Sequence, residues 1–227
     1  GLGNVKTMMD AKMKGMVMTG MTALCLILGI MGAMGSTWLT PDYSDEEQEA
    51  MDEMGMDSGM ALNYAWMSMD MDVSQSDCEL AIDSAEEDTG GTASCDSDGV
   101  MTVEMQFSDL CDDDLDGEDG EEACDMATGG MIGTIGMWAG VLCALLITLT
   151  MVLPMAGVDA MDAVPEMATK VATWGAGALM LVGMFGWWIM LPDGGEMTMG
   201  MSGWMAGAAM TIGLGAAAMD QFVESTE

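Results

Sequence analysis

CDDDLDGEDGEEACDMATGGMIGTIGMWAGVLCALLITLTMVL, residues 111 to 153, sets two opposed chemistries side by side. Twelve residues separate Cys111 from Cys124, eight of them acidic and none basic. Shortly after comes a run of 23 residues, 131 to 153, without one Asp, Glu, Lys or Arg. An apolar helix of about 20 residues spans the hydrocarbon of a bilayer, whereas an acid-saturated stretch has to stay in water. A membrane boundary therefore falls between the two halves of this one stretch.

The whole chain repeats that segregation. Its 227 residues carry a formal charge of -34, yet 51% are hydrophobic and the mean hydropathy is +0.30. Of 38 acids, 29 lie within residues 36 to 127, and every long apolar run lies outside that segment. Four charge-free spans are predicted, at residues 16 to 35, 131 to 153, 171 to 191 and 199 to 219. The first follows Lys6, Lys12 and Lys14, as a signal peptide would, but it is longer than a signal's apolar region and is read as an uncleaved helix.

Orientation follows from the cations. The only four, Lys6, Lys12, Lys14 and Lys170, precede span 1 or lie between spans 2 and 3, so the positive-inside rule makes those regions cytoplasmic. The expected order is a cytoplasmic N-terminus (1–15), span 1, an extracellular acidic domain (36–127), span 2, a cytoplasmic loop (154–170), span 3, a short outer loop (192–198), span 4 and a cytoplasmic tail (220–227). The expected location is the cell membrane, multi-pass, with both termini cytoplasmic. Trp38, Trp138, Trp187, Trp188 and Trp204 fall near the outer ends of their spans and Trp174 near an inner end, as interfacial belts require.

In lipid, helices associate through close packing at small residues. Gly136 and Gly140, and again Gly203 and Gly207, provide GxxxG spacings, and Gly29 with Ala33 and Gly32 with Ser36 repeat the pattern on span 1. The spans contain no ionisable residue and the chain has no histidine, which argues against pumps and ion-coupled carriers. There is no HExxH, P-loop or GxSxG motif, so no enzyme is expected. With four cations in all, no nucleic-acid partner is expected either.

Cys25 and Cys143 sit within spans and read as small apolar residues. Cys78, Cys95, Cys111 and Cys124 lie in the outer segment, an even number in an oxidising space, and read as two disulfides. Three pairings exist; local closure favours Cys78 with Cys95 and Cys111 with Cys124. Zinc is disfavoured because there is neither CxxC nor His. Between the cysteines, Met67, Met69, Met71 and Val73 alternate with polar residues, as do Met101, Val103, Met105 and Phe107, the period of half-buried strands. Cys78, Leu80 and Ile82 suggest a third strand, residues 42 to 58 a short acidic helix or lead-in, and 84 to 94 a loop. The predicted fold class is thus an α-helical membrane protein, a four-helix transmembrane bundle with a small disulfide-bonded antiparallel β-domain inserted between helices 1 and 2.

Four spans, a long first outer loop of strands, Trp38 beyond span 1, and Trp66 followed by Cys78 and Cys95 resemble the claudin and peripheral myelin protein type of tetraspan protein. Tyr64-Ala65-Trp66 stands where that type carries Gly-Leu-Trp, the spacings are longer, and a second cysteine pair is added. The resemblance implies a non-catalytic protein of lateral assembly, adhesion or barrier formation, with Trp38, Trp66, Cys78 and Cys95 as structural elements of the loop.

Two metal readings arise. The segment MDEMGMDSGM, with Met51, Met54, Met56 and Met60, resembles the methionine-rich arms of copper carriers, and thioethers select Cu(I). However, residues 36 to 127 hold only 10 of the 33 methionines, so methionine reads as a general hydrophobe replacing Leu and Ile. Calcium fits better: Asp112, Asp114, Asp116 and Gly117 follow the D-x-D-x-D-G order of a calcium loop. Counting Asp112 as the first position, the twelfth is Ala123 rather than the bidentate Glu, leaving Glu121 or Glu122 to close the shell. The competing reading is an acidic surface that only solvates. Two function classes stand: a non-enzymatic tetraspan protein with a structural, adhesive or assembly role, calcium-stabilised through its outer domain; or an oligomeric cation channel or accessory subunit of a membrane complex. Expected partners are the lipid bilayer, further copies of the chain, or other membrane and cell-surface proteins.

Overall fold

The structure, a computed structural model, describes residues 8–112, 118–155, 157, 165–191 and 197–226. In chain order its elements are β1 (Met8–Asp10), α1 (Ala11–Met34), β2 (Leu39–Pro41), α2 (Asp45–Glu53), β3 (Met56–Met60), β4 (Tyr64–Asp70), α3 (Gln75–Glu79) and α4 (Ile82–Thr89). There follow β5 (Thr92–Cys95), β6 (Val100–Gln106), α5 (Phe107–Asp112), α6 (Glu118–Met155), α7 (Glu166–Ile189), β7 (Met197–Met199), α8 (Met201–Phe222) and β8 (Glu224–Thr226). The described chain is mostly helical, with a small antiparallel sheet and two disulfides.

Among the described residues, three helical stretches are long and apolar enough to cross a membrane: Lys12–Met34, Gly120–Pro154 and Glu166–Ile189. Helix α8 corresponds to the fourth expected span. Its only charged residue is Asp220, but alanines and glycines make it less hydropathic than the other three.

The chain divides into two compact units. The first, a helical unit, contains α1, α6 from Ile135, α7 to Phe185 and α8 from Trp204. Its helices touch where they carry no side chain. A carbon added to Gly136 would lie 2.5 Å from Gly183 Cα, so α6 and α7 meet backbone to backbone there. Gly140 lies against Ala176 and Met180, Gly32 of α1 against the backbone of Ala206 in α8, and Gly177 of α7 against Gly213 of α8. Cys25, Ala144 and Ala209 share the interior with Met137, Ile147 and Met180, while Ile27, Leu142, Val182 and Phe185 face outwards. Large apolar side chains on the outer surface suit a hydrocarbon surrounding. At the end of the unit β1 pairs in parallel with β8. There the Lys14 ammonium donates to the carbonyls of Asp220 and Val223 (3.1 and 2.8 Å) and lies 3.6 Å from the Asp220 carboxylate. A cation at a helix C-terminus offsets its unpaired carbonyls and dipole.

The second unit, residues 35–134 and 186–203, is built on a six-stranded sheet in the order β5-β6-β4-β3-β2-β7, with every neighbouring pair antiparallel. The alternation read in the sequence sets the register: Met69 pairs with Met101 and Met67 with Val103, on one face, while Trp66 pairs with Glu104 on the other. Strand β4 ends at Asp70, and Asp72 adopts φ 47°, a turn conformation supported by its N–H donating to the Asp70 carboxylate.

Three expectations need correction. Cys78, Leu80 and Ile82 do not form a third strand; they fall in and between α3 and α4, and Leu80 is 80% exposed. Three alternating positions are too few to outweigh the alanine and glutamate content of 79 to 87. Gly90, at φ 67°, closes α4 by donating its N–H to the Glu86 carbonyl, so the segment read as a loop at 84 to 94 is helix and then β5. The sheet also has six strands instead of three or four, because β2, β3, β5 and β7 join β4 and β6.

Candidate functional site

Within the sheet unit, the two disulfides join Cys78 to Cys95 and Cys111 to Cys124. The first fixes α3 to β5; the second ties the end of α5 to the start of α6 with Cα atoms 4.7 Å apart. Beside the second lies an open groove of about 470 Å3, lined by Asn63, Ser108, Thr128, Met131 and Thr134 together with the disulfide.

Asn63 organises that groove. The β3–β4 connection is closed by the Ala61 N–H donating to the Tyr64 carbonyl (2.8 Å), which leaves Asn63 at the turn. Its carbonyl accepts the Phe107 N–H at the start of α5 (3.1 Å), and its side-chain oxygen accepts the Thr134 hydroxyl of α6 (3.0 Å). Gly130 approaches the Leu62 carbonyl too closely for any side chain to fit. The described residues that line the groove offer hydroxyl, amide and thioether contacts.

The acidic groups lie elsewhere. Helix α2 begins with a capping box: the Ser44 hydroxyl accepts the Glu47 N–H (3.4 Å), and the Glu47 carboxylate accepts the Ser44 N–H (2.9 Å) and hydroxyl (2.8 Å). The Ser44 backbone, and then its hydroxyl, hold the Glu47 carboxyl below its ordinary pKa. Asp45, Glu49, Asp52 and Glu53 line an open acidic face of the same helix. On β4, burial and then the Glu104 carboxylate push the Tyr64 hydroxyl up.

Of the expected calcium ligands, Asp112 closes α5, Asp114 and Asp116 lie outside the described residues, and Glu121 and Glu122 are exposed near the start of α6. Among the described residues, no three Asp, Glu, His or Cys converge as metal ligands would. Of the expected packing glycines, Gly136 and Gly140 line the α6–α7 contact, Gly203 lies 3.0 Å (as a Cβ) from the Trp38 carbonyl, and Gly207 has only Met184 Cε near it, at 3.9 Å.

Both tryptophans of the claudin-like pattern lie in the sheet unit. Trp38 is fully buried and meets Trp187 edge to face, centroids 5.1 Å apart; the Trp66 indole N–H donates to the Ser36 carbonyl (2.9 Å). Sequence reasoning missed three contributors: Trp187 as partner of Trp38, Asn63 at the groove, and Thr198, whose hydroxyl meets that of Thr40 at 3.2 Å across the β2–β7 pair. Comparison with protein-family models, with curated proteins and with solved structures found no match to this chain.

Proposed function

We propose that the chain is a tetraspan membrane protein of the claudin-like kind. In this reading α1, α6, α7 and α8 form a four-helix transmembrane bundle, and the disulfide-bonded sheet stands outside the cell. Its role is structural: adhesion, or assembly with further copies or with other membrane proteins. Weak calcium binding through Asp112, Asp114, Asp116, Glu121 and Glu122 stabilises the outer unit.

One observation carries the reading. The sheet takes β2 from just after α1 and β7 from between α7 and α8, and pairs them directly. Helix ends that feed one small sheet belong on one side of a bilayer, which agrees with the side assigned by the lysines. The pairing of β1 with β8 likewise supports both termini sharing the other side.

Labelling with a membrane-impermeant maleimide tests the topology. A Met197→Cys chain is expected to react on intact cells, and a Met167→Cys chain only after lysis; the reverse pattern overturns it. Planar-bilayer recording of the purified protein tests the role. No current is expected, and reproducible cation-selective conductance would replace the structural reading with the channel one.

A further inference from the structure

The methionines of the sheet converge in a way that their spread along the sequence conceals. Met56 of β3 pairs with Met69 of β4, and Met69 pairs with Met101 of β6. Directly opposed residues of an antiparallel pair project to the same face with Cβ atoms about 5 Å apart. Three thioethers drawn from positions 56, 69 and 101 therefore stand in one row across three adjacent strands, and all three residues are half-buried.

Such a row has the reach for a shared ligand. Strands lie about 4.8 Å apart, and the unbranched methionine side chain, with three rotatable bonds, can swing the outer two sulfurs towards the central one. The same face is held at both flanks. Ser58, one pair along β3, shares a 3.2 Å hydroxyl contact with Tyr43, and Cys95, paired with Met101, is tied to α3 through Cys78.

We propose that Met56, Met69 and Met101 form a three-thioether site for a soft monovalent cation, Cu(I). The donor set selects that class. Thioethers prefer soft ions and give no charge to stabilise Zn2+, Ca2+ or Mg2+. The chain has no histidine, and the four cysteines of the sheet unit are all in disulfides, so thioethers are the soft donors left there. They also survive in an oxidising space where free thiols would be lost to disulfides. The formal charge of -34 draws any cation towards the surface, and the thioether row supplies the discrimination that carboxylates lack. The site depends neither on the membrane topology nor on an adhesive role.

The test uses the full purified chain in detergent with Cys25→Ala and Cys143→Ala as the reference background, so that no free thiol competes, with Ag(I) as a redox-stable probe in competition with a chromogenic chelator, and X-ray absorption to read the donor atoms. The reference chain is expected to hold one Ag(I) in a sulfur-only shell. Met69→Leu, which keeps volume and apolarity, is expected to weaken it by about tenfold or more, since even groups behind the ligands of metal sites change affinity by that much. Met16→Leu, at an exposed position of α1, is expected to change nothing. Far-UV circular dichroism and intact disulfides report the fold, and Met56→Leu and Met101→Leu give independent readings should Met69→Leu unfold. Equal Ag(I) affinity in the reference chain and the triple leucine variant overturns the site, as does a shell containing oxygen or nitrogen.

Discussion

The indole of Trp66, on the central strand β4, reaches back to donate to the backbone carbonyl of Ser36 at 2.9 Å, while its ring lies about a van der Waals contact from Gly59 on the neighbouring strand. One side chain thus anchors the chain where it leaves α1 and fills the space that Gly59 leaves open. Trp66→Phe keeps an aromatic ring and loses the hydrogen bond, so a destabilisation of about 1 kcal/mol is expected. Gly59→Ala is expected to destabilise the wild type more than a Trp66→Ala chain, because its Cβ would press on the indole at 3.0 Å. Thermal unfolding of the wild type, the three single variants and the double variant measures both; additive effects would show that ring and glycine are not coupled.

The two GxxxG spacings are not equivalent. At Gly136 a Cβ meets the backbone of Gly183, which cannot give way, so Gly136→Ala is expected to part α6 from α7 and cost about 1–3 kcal/mol. At Gly207 a Cβ meets only the flexible end of Met184, and Gly207→Ala is expected to fall within about 0.5 kcal/mol. Denaturation in mixed detergent reads the difference, and equal losses would contradict the packing.

Each disulfide closes a short loop, with sequence separations of 17 and 13. Replacing either pair by alanine is expected to cost about 3 kcal/mol through the freedom returned to the unfolded chain. With the disulfides intact, about 10 mM Ca2+ at constant ionic strength is expected to add about 1–3 kcal/mol, the gain for a site of roughly 0.1–1 mM affinity. Asp114→Asn is expected to abolish that gain. An unchanged melting temperature in calcium leaves the acids of 112 to 122 as solvating charge alone.

Helix α2 carries a pH-dependent start. The Glu47 carboxyl is held below its ordinary value by Ser44, so its contribution is full above the unfolded-state value, about 4.3. It is lost as pH falls through the lower folded value. Amide exchange in the first turn of α2 is therefore expected to speed up as pH drops from 6 to 3, beyond the intrinsic change in rate. Glu47→Gln is expected to remove that extra dependence; an unaltered profile would show that the capping box does not hold in solution.

The sequence disclosed what long periods and strong chemical contrast can encode. Charge segregation marks the apolar helices because burying one charge in hydrocarbon outweighs every local preference. The alternation around Met69 and Val103 marks β4 and β6 because a one-residue slip would turn their apolar faces into water. Shorter signals failed. Leu80 looks like a strand's inward residue but is exposed at the end of α3, where Gly90 and the neighbouring alanines and glutamates decide the matter. Strand β7 is three residues long, and nothing in Met-Thr-Met foretells a partner at Thr40. The groove around Asn63 was illegible for the same reason: it depends on Phe107 and Thr134, which only the tertiary fold brings to that turn.

The pairing of Thr40 with Thr198 spans 158 residues, and it orders events during synthesis. Strands β2 to β6 have all been made once Gln106 has left the ribosome, but the edge beside β2 stays bare until α6 and α7 have followed. Pro41 blunts that waiting edge, since it has no N–H to offer a stray strand. A chain interrupted before Met197 therefore keeps an unfinished sheet edge. That edge distinguishes a chain whose β7 has not yet been made from one in which β7 has paired with β2.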